Sequence, residues 1–389
     1  FLSPDDIKAN YDDFYVAGIE GYTPEHKHTL WYTKPATLTG VSNTWMEYSL
    51  PIGNGQFGAS LFGGVQTDEI QFNDKTLWSG GPSQYGIYEN FGSVFVEDIS
   101  YEFGYGADNG VTDYYRQLDI ENATGTVCYK NSDKSVTYKR EYIASYPDKA
   151  VVWHYEASEE GKISLRFSMA SGEPGIVATT TYSDGTASFS GSLQTISYAA
   201  HLKVVPEGGT MKTTDSGIVV ENANSVLVVL VGITDFVADQ VSHVSGRKAE
   251  LPADAAAQAD AAAQQGWKAL YDKHVADYQQ YYSRVSFEIA GTENVMPTNE
   301  MIDAYNAGTM VDNLMLEQLY FHYGRYLAIG SNRKPIAAPN NLQGIWNDRG
   351  TDSPWNSDIH TNINIQMNYW PTEITNLSDL HKPFVNFII

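Results

Sequence analysis

Short runs that either alternate between apolar and polar residues or are wholly apolar recur between Leu30 and about Phe236. Clusters of turn residues, such as SDG at 183–185 and EGG at 207–209, separate these stretches. A period of two between turn residues is typical of strands that bury one face. The pattern predicts strands within six segments: 70–72, 135–142, 150–155, 163–167, 186–189 and 226–233. We therefore expect an antiparallel β-sandwich over residues 30–245, after a lead-in segment of residues 1–29.

The period changes to that of a helix after Leu251, and Pro252 suits the first turn of such a helix. Residues 246–296 are therefore predicted to form a helical linker. Within this linker His274 lies on an apolar stripe, which favours packing over catalysis. The stripe consists of Trp267, Leu270, Tyr271, His274, Val275, Tyr278 and Tyr282.

A second apolar stripe predicts another amphipathic helix, which ends near Gly330 and before Pro335. We expect residues 297–389 to hold too few helices to close an α domain, so that this domain stops unfinished at Ile389. The stripe consists of Leu316, Leu319, Tyr320, Tyr323 and Leu327.

Charge and composition narrow the classes of function. The 47 acidic and 24 basic residues give a formal charge of −23, which would repel nucleic acid over most of the surface. The apolar run at 226–233 is far shorter than the ~20 residues of a membrane span. The single cysteine, Cys128, excludes an intrachain disulfide and is expected to be a small residue of a buried strand. The 27 tyrosines and 8 tryptophans suit sugar faces, although the core of a large β domain accounts for most of them.

Two short motifs carry weak signals. Residues 53–58, GNGQFG, match the dinucleotide fingerprint, but Pro51 precedes them and no long helix follows, so tight β turns are the better interpretation. His26-Lys27-His28 lacks a third metal ligand at a suitable spacing, and we expect these histidines to be solvated. Neither a metal nor a cofactor is predicted.

The stretch from 340 to 371 combines rings, amides and carboxylates, which is what a sugar pocket needs and also what a polar interdomain loop contains. Asn362 and Asn364 share a face only if the backbone is extended there, because on a helix they would diverge by about 200°. Both amides can reach one substrate or water only if the helix starts after them. Other members of this set are Trp346, Trp355, Asn341, Gln343, Asn347, Asp348, Asp352, Asp358 and His360.

Several segments resemble glycoside hydrolase family 95, which contains inverting α-L-fucosidases. They are LWYTKPA, SLPIGNGQFGASLFGG, FNDKTLWSGGP, YKREYIASYPDKAVV, QLYFHYGRYLAIGSNR and NLQGIWN…PWNSDIHTNINIQMNYWPTEITNLSDLHKPFVNFI. The resemblance runs collinearly from Leu30 over nearly the whole chain. It implies a β-sandwich, a helical linker and an (α/α)6 barrel, of which residues 297–389 would be the first, truncated part.

The resemblance also implies roles for individual residues. Asn362 and Asn364 match the pair of asparagines that hold the attacking water. The glutamic acid that protonates the leaving group and the aspartate partner would lie beyond the end of this chain. His360 is implied as a ligand of a sugar hydroxyl, and Trp355 and Asp358 are weaker candidates. Trp78 lies on a sandwich loop that could reach the pocket, with core packing as the alternative.

The sequence thus predicts an extracytoplasmic glycosidase that releases terminal α-L-fucose from glycans with inversion, while the 389 residues alone are expected to be inactive. Two alternatives remain. One is an α-L-galactosidase of the same family, because L-galactose differs from L-fucose by one hydroxyl group. The other is a non-catalytic carbohydrate-binding protein. A fucosylated glycan is the expected partner, and oligomeric state is not predicted.

Overall fold

The computed structural model of the protein describes residues 16–36, 44–81, 86–100, 110–172, 175–238, 243–311, 313–333, 338–348 and 353–389. Nineteen strands are found in these ranges. In chain order they are β1 (Val16–Gly18), β2 (Thr29–Tyr32), β3 (Leu50–Gly53), β4 (Phe57–Leu61), β5 (Thr67–Asp74), β6 (Trp78–Ser79), β7 (Ile87–Tyr88), β8 (Gly92–Asp98), β9 (Val111–Asp119), β10 (Thr124–Asn131), β11 (Thr137–Ser145), β12 (Ala150–Ala157), β13 (Ile163–Ser171), β14 (Thr181–Ser183), β15 (Thr186–Ser192), β16 (Ser197–Glu207), β17 (Thr210–Thr214), β18 (Gly217–Ala223) and β19 (Ser225–Thr234).

Two large sheets pack face to face as a sandwich. The first runs in the order β1-β9-β10-β11-β12-β19-β16-β15-β14, with β2 also paired to β9, and the second runs β17-β18-β13-β8-β5-β4-β3. The pairings in both sheets are antiparallel except for β1 with β9. Each of the six predicted strand segments overlaps an observed strand, so the predicted antiparallel sandwich is confirmed.

The central strand β19 is covered on both of its faces. One face lies in the core between the sheets, while Val229 and Val231 on the other face belong to a cluster with Leu251, Ala255 and Ala259 of a helix. A strand buried on both sides needs apolar residues at every position rather than at every second one. This double cover explains the continuous apolar run at 226–233.

The helices lie after the sandwich, apart from α1 (Thr44–Tyr48). The linker contains two helices, and Gly266, at the start of the second, adopts a positive φ of 74° that interrupts a continuous helix. The later helices are α2 (Leu251–Ala263), α3 (Gly266–Tyr282), α4 (Thr298–Asn306), α5 (Met315–Ser331), α6 (Asn364–Ile374) and α7 (Lys382–Ile388), with 3-10 turns at Pro354–Ser357 and Ser378–His381. Within the described residues, no helix has the length and apolar character to span a membrane.

The predicted stripe of α3 faces the sandwich, and its histidine is packed as expected. Nε2 of His274 lies 3.1 Å from the carbonyl oxygens of both Asn122 and Ala123. Burial lowers the pKa of His274 to about 4, so the ring is neutral at pH 7. His274 is therefore a structural residue of the sandwich–helix junction.

The predicted buried face of α5 is partly wrong. Tyr320 is 80% exposed, whereas Gln318, His322 and Arg325 are buried. These polar residues are tolerated inside because most of their polar groups are hydrogen-bonded, although Arg325 Nε is not. Arg325, for example, donates to the carbonyl oxygens of Tyr282 and Tyr281 at 3.0 Å.

The expectation that both histidines are solvated is wrong for His28, whereas the side chain of His26 is 38% exposed. His28 is buried and its ring stacks on that of His322, with centroids 3.8 Å apart. Its Nδ1 lies 2.7 Å from the hydroxyl oxygen of Tyr282, and Nε2 lies 2.8 Å from the amide nitrogen of Gln318. His26 contacts Asp119. The segment before β2 is thus part of the junction between the sandwich and the helices.

Candidate functional site

The polar loop of residues 338–348 is held against the second sheet. The backbone oxygen of Asn347 accepts hydrogen bonds from Gln71 Nε2 at 2.6 Å and from Asn73 Nδ2 at 2.7 Å. The side chain of Asn347 donates to the backbone oxygen of Tyr88 at 2.8 Å. Since Asn347 is fully buried, its amide positions the loop and is not available to a ligand.

The glycines of the GNGQFG segment let this loop approach the sheet closely. A Cβ on Gly53 would lie 2.5 Å from the backbone oxygen of Gly330, and one on Gly58 would lie 2.8 Å from Ile345 Cδ1. The indole of Trp346 donates to the backbone oxygen of Ile52 at 2.9 Å. The motif is a β3–β4 turn, as predicted, and its glycines allow Trp346 to be buried against the strand.

Polar residues of β5 make these contacts possible, and the sequence analysis did not single them out. Ile70 and Phe72 face the core, while Gln71 and Asn73 reach Asn347, so all eight residues of the strand are buried. In this strand two amides alternate with Ile70 and Phe72, which is a signal that the outer face will be covered by polar backbone. That signal could have located the docking surface of the loop.

Helix α6 is fixed to the loop through Tyr369. The Tyr369 hydroxyl accepts a hydrogen bond from the backbone N–H of Asn340 at 3.0 Å and donates to Asn332 Oδ1 at 2.6 Å. Asn368 Nδ2 donates to the backbone oxygen of Asn341 at 3.2 Å. The middle of α6 is therefore tied to the polar loop and to the end of α5, and the loop in turn is bonded to the sandwich.

The next segment contains a strained turn. Trp355, Asn356 and Ser357 have positive φ values of 50°, 57° and 49°. Such conformations cost energy in residues other than glycine and persist where surrounding contacts enforce them. Ser357 Oγ donates to Gln343 Oε1 at 2.5 Å, which links the turn to the polar loop. The indole of Trp355 is 75% exposed and is thus open to contact with a ligand.

Asp358 and His360 form a pair beside this turn. Nδ1 of His360 lies 3.2 Å and 3.3 Å from the two carboxylate oxygens of Asp358. Both side chains are roughly one-third exposed, at 36% for His360 and 42% for Asp358. A carboxylate beside Nδ1 favours the tautomer with hydrogen on that atom. Nε2 of the neutral ring can then accept a hydrogen bond from a hydroxyl group.

Asn362 and Asn364 flank a γ-turn. The backbone N–H of Asn364 donates to the backbone oxygen of Asn362 at 2.9 Å, and Ile363 between them has φ 64° and ψ −40°. Positive φ is unusual for a β-branched residue. Both asparagines are exposed. The segment is therefore a tight turn rather than extended, and the helix begins at Asn364 itself, not after it.

Trp78 lies in the β6–β7 hairpin, which contacts the turn of Trp355. Its indole donates to the backbone oxygen of Lys75 at 2.9 Å, and its ring lies 5.2 Å from that of Tyr88. Strand β7, which contains Tyr88, contacts the Pro354–Ser357 turn that carries Trp355. The structure thus brings the hairpin of Trp78 to the turn of Trp355, while the half-buried Trp78 ring packs on the hairpin.

The carboxylates near the asparagines are paired with histidines. Glu373 Oε1 lies 2.8 Å from His381 Nδ1, as Asp358 lies beside His360. Asp352 lies outside the described residues. Glu89, next to Tyr88, was not predicted as a site residue. Burial raises the pKa of Glu89, but this residue is only 1% exposed. Among the described residues we therefore assign no general acid.

Comparison with known families now defines the class of protein. The model of the glycosyl hydrolase family 65 N-terminal domain matches residues 30–90 and 82–239, which hold most of the sandwich. The model of the glycosyl hydrolase family 95 catalytic domain matches residues 266–389, which contain the asparagine pair. The chain thus contains a domain of the glycosyl hydrolase family 65 N-terminal type, and its helical part is similar to the catalytic domain of glycosyl hydrolase family 95.

Individual relatives agree with this assignment. The chain is 26% identical to alpha-L-fucosidase 2 of Arabidopsis thaliana, over 92% of this chain and 49% of that protein. It is also 26% identical to probable alpha-fucosidase A of Aspergillus niger (strain ATCC MYA-4892 / CBS 513.88 / FGSC A1513), over 92% and 50%. The chain therefore spans about half the length of these curated relatives.

A solved structure shares the fold. It is a putative kojibiose phosphorylase from human microbiome, with a TM-score of 0.52 and 10% identity. The likeness covers 85% of this chain and 45% of the other. At this identity the match supports the fold alone, a sandwich followed by helices.

Proposed function

We propose that this protein provides part of a glycosidase that releases terminal α-L-fucose from oligosaccharides or glycans by an inverting mechanism. The observation that carries the proposal is the γ-turn at Ile363, where the backbone N–H of Asn364 donates to the backbone oxygen of Asn362 at 2.9 Å and both asparagines are exposed. The turn lies within the region that matches the family 95 catalytic domain. The names of the two relatives support fucose as the sugar.

In this proposal, Asn362 and Asn364 hold the water that attacks the anomeric carbon. Their amide oxygens accept hydrogen bonds from the water and orient its lone pair, but an amide is a poor base and cannot take the proton alone. A carboxylate must therefore accept it. Holding the water at a fixed angle lowers the entropy cost of reaching the transition state.

His360 and Trp355 are proposed to bind the sugar. With Nδ1 directed at Asp358, Nε2 of His360 can accept a hydrogen bond from a sugar hydroxyl. The exposed indole of Trp355 offers a flat surface to the C–H face of a pyranose ring. Asp358 orients His360, and Trp78 supports the turn of Trp355 through the β6–β7 hairpin.

We further propose that the general acid and the carboxylate base come from outside these 389 residues. Asp358 and Glu373 are each engaged by a histidine, which leaves neither as an obvious proton donor. Inversion requires two carboxyl groups about 6.5–9.5 Å apart, on opposite faces of the sugar, with room for the water between the base and the anomeric carbon. Helices α4 to α7 would then be the first helices of an (α/α)6 barrel, with no cofactor in the reaction. We place this reaction outside the cytoplasm.

The test is the stereochemistry of the first product. Full-length protein is mixed with an aryl α-L-fucoside and followed by proton NMR during the opening minutes, before mutarotation. We expect β-L-fucose first, and no turnover by residues 1–389 alone. Initial α-L-fucose would indicate a covalent intermediate and contradict the water held by asparagines. Faster turnover of the matched α-L-galactoside would identify L-galactose, rather than L-fucose, as the sugar that is released. Binding without turnover by full-length protein would favour a carbohydrate-binding role.

A further inference from the structure

A buried lysine joins the sandwich to the helices at the end of β5. Lys75 is only 1% exposed, although a lysine side chain almost never lies inside a protein without polar partners. It directly follows Asp74, the last residue of β5, and its backbone N–H donates to the backbone oxygen of Gln56 at 2.8 Å. The side chain therefore starts from a fixed point of the sandwich. The contacts described above for the candidate site do not use its side-chain nitrogen.

This nitrogen reaches the C-terminal end of α5. Nζ of Lys75 donates to the backbone oxygen of Ser331, the last residue of the helix, at 2.6 Å and to Asn332 Oδ1 at 3.5 Å. The last carbonyl groups of a helix have no partner within it, and a cation at that end interacts favourably with the helix dipole. Lys75 thus caps α5 from outside, with a group that belongs to the sandwich.

The same nitrogen fixes the orientation of the Asn332 amide. Burial lowers the pKa of Lys75 to about 7, but both partners of Nζ are acceptors, and even the neutral amine has an N–H group for each of them. Asn332 therefore turns Oδ1 toward Lys75, and its Nδ2 donates to the backbone oxygen of Ala328 at 3.2 Å. Since Asn332 is inaccessible to solvent, these protein partners decide which way its amide points.

The oriented amide holds α6. Asn332 Oδ1 accepts a hydrogen bond from the hydroxyl group of Tyr369 at 2.6 Å, and the same hydroxyl accepts one from the backbone N–H of Asn340 at 3.0 Å. With the amide reversed, the Tyr369 hydroxyl would lose this acceptor. Tyr369 follows Asn364 in the same helix, ~7.5 Å further along its axis. Lys75 is thus connected, through two side chains, to the helix that begins with Asn364.

We propose that Lys75 is a positioning residue, whose side-chain nitrogen holds α6 in place through Asn332 and Tyr369. The Asn362–Asn364 turn at the start of α6 keeps its position as a result. The inference rests on the proposed function, because the turn matters to the reaction only if its amides hold the attacking water. Lys75 is too deeply buried to touch a substrate. A lysine that served stability alone would leave kcat unchanged in a folded variant, so kinetics distinguish the two roles.

The experiment uses full-length protein, an aryl α-L-fucoside and variants along this series of contacts. Lys75→Met replaces the nitrogen by an apolar group of similar size, Tyr369→Phe removes the hydroxyl group at the far end, and a double variant carries both changes. Lys203→Met is the matched control, because Lys203 also links the sandwich to a helix, through an ion pair with Asp260 of α2. Melting temperatures show which variants are folded. If Lys75→Met is not, Lys75→Gln, which keeps an N–H donor, takes its place.

We expect Lys75→Met to lower kcat about tenfold and to change KM by less than about twofold, because a displaced α6 misplaces groups that act in the transition state. Tyr369→Phe should have the same effect. The double variant should be no slower than the slower single variant, since both changes interrupt one series of contacts. Lys203→Met should leave kcat unchanged. An unchanged kcat in the folded Lys75 variant, or two losses that multiply in the double variant, would overturn the inference.

Hydrogen exchange separates failure of this inference from failure of the proposed function. Backbone amides of α6 should exchange about tenfold faster in Lys75→Met than in Lys203→Met, because the helix is held less firmly. This expectation applies whether or not the full-length protein hydrolyses fucosides. Equal exchange in the two variants would overturn the inference. Absence of hydrolysis together with faster exchange in Lys75→Met would count against the proposed function and support the contact between Lys75 and α6.

Discussion

Two neighbouring regions contain the same kinds of residue, which are buried in one region and exposed in the other. In the loop of residues 338–348, Trp346 is 5% exposed and Asn347 is fully buried. In the segment of residues 353–364, Trp355 is 75% exposed and Asn364 lies at the surface. The first region is bonded to the sandwich, whereas the second is strained and open.

The difference separates an asparagine whose polar groups are used inside the protein from one that remains open to a ligand. The polar groups of Asn347 are taken up by Asn73, Gln71 and Tyr88, which leaves nothing for a substrate. The buried loop instead provides a rigid base for the exposed segment, through the Ser357–Gln343 bond. A site held by such a base can keep its groups oriented without their being buried.

The largest expected effect concerns the two tryptophans. Trp346→Ala should lower the free energy of unfolding by about 3–5 kcal/mol, because a buried ring and its hydrogen bond to Ile52 are lost. Trp355→Ala should change it by less than about 0.5 kcal/mol. Denaturant unfolding of both variants checks this, and equal losses would show that the two regions do not differ as described.

The second prediction compares the asparagines in the active full-length protein. Asn364→Ala should lower kcat by about 10²–10³ with little change in KM or melting temperature, because its amide acts mainly in the transition state. Asn347→Ala should instead cost about 2 kcal/mol of stability, since the buried oxygen of Tyr88 loses its donor.

Two further variants refine that comparison. Asn362→Asp should retain more activity than Asn362→Ala, because a carboxylate can accept the proton of the water. His360→Ala should raise KM if the ring binds only a sugar hydroxyl. A loss of stability in Asn364→Ala with normal kcat would show that the asparagine serves only the start of α6.

The third prediction concerns the strained γ-turn. Ile363→Gly should relieve about 1–3 kcal/mol of backbone strain, largely offset by the greater entropy of glycine in the unfolded chain. The melting temperature should therefore change little. Kcat should nevertheless fall by roughly tenfold, because a looser turn holds the two amides less firmly. An unchanged kcat would show that the backbone strain at Ile363 does not contribute to the reaction.

The smallest effect at neutral pH concerns the junction between sandwich and helices. Burial lowers the pKa of His28 from 6.5 to about 4, so the folded protein prefers the neutral ring. Between these values the unfolded chain binds the extra proton, so stability is present above pH 6.5 and is lost as the pH falls toward 4. His28→Gln should flatten this slope by at most about 1.4 kcal/mol per pH unit. Melting temperatures across this range test it, and an unchanged slope would assign the acid sensitivity to other groups, such as His274.

Much of the fold was predictable because sandwich strands and amphipathic helices leave local periods. The segment 135–142, which overlaps β11, and the stripe from Leu270 to Tyr282 illustrate both kinds of period. The buried face of α5 was predicted less well, because Gln318 and His322 are polar residues whose partners lie far away in sequence. A local pattern cannot show that a polar residue will find such a partner.

The candidate site was predictable as residue types but not as geometry. The sequence placed Asn362 and Asn364 two residues apart, and only the structure decided that a γ-turn, rather than an extended segment, joins them. The role of Gln71 and Asn73 likewise depends on a loop about 270 residues further along the chain, bonded to them directly.

By itself, the sequence determined the sandwich, the later helices and the family resemblance, because periodicity and motifs are properties of short segments. The tertiary structure decided which of the similar tryptophans and asparagines are buried and which are exposed. Burial depends on what packs over a residue, and the covering elements here are distant in the chain. Trp346 is buried because β3 and β4 expose glycines to it, and Asn364 is exposed because a strained turn starts α6 at the surface.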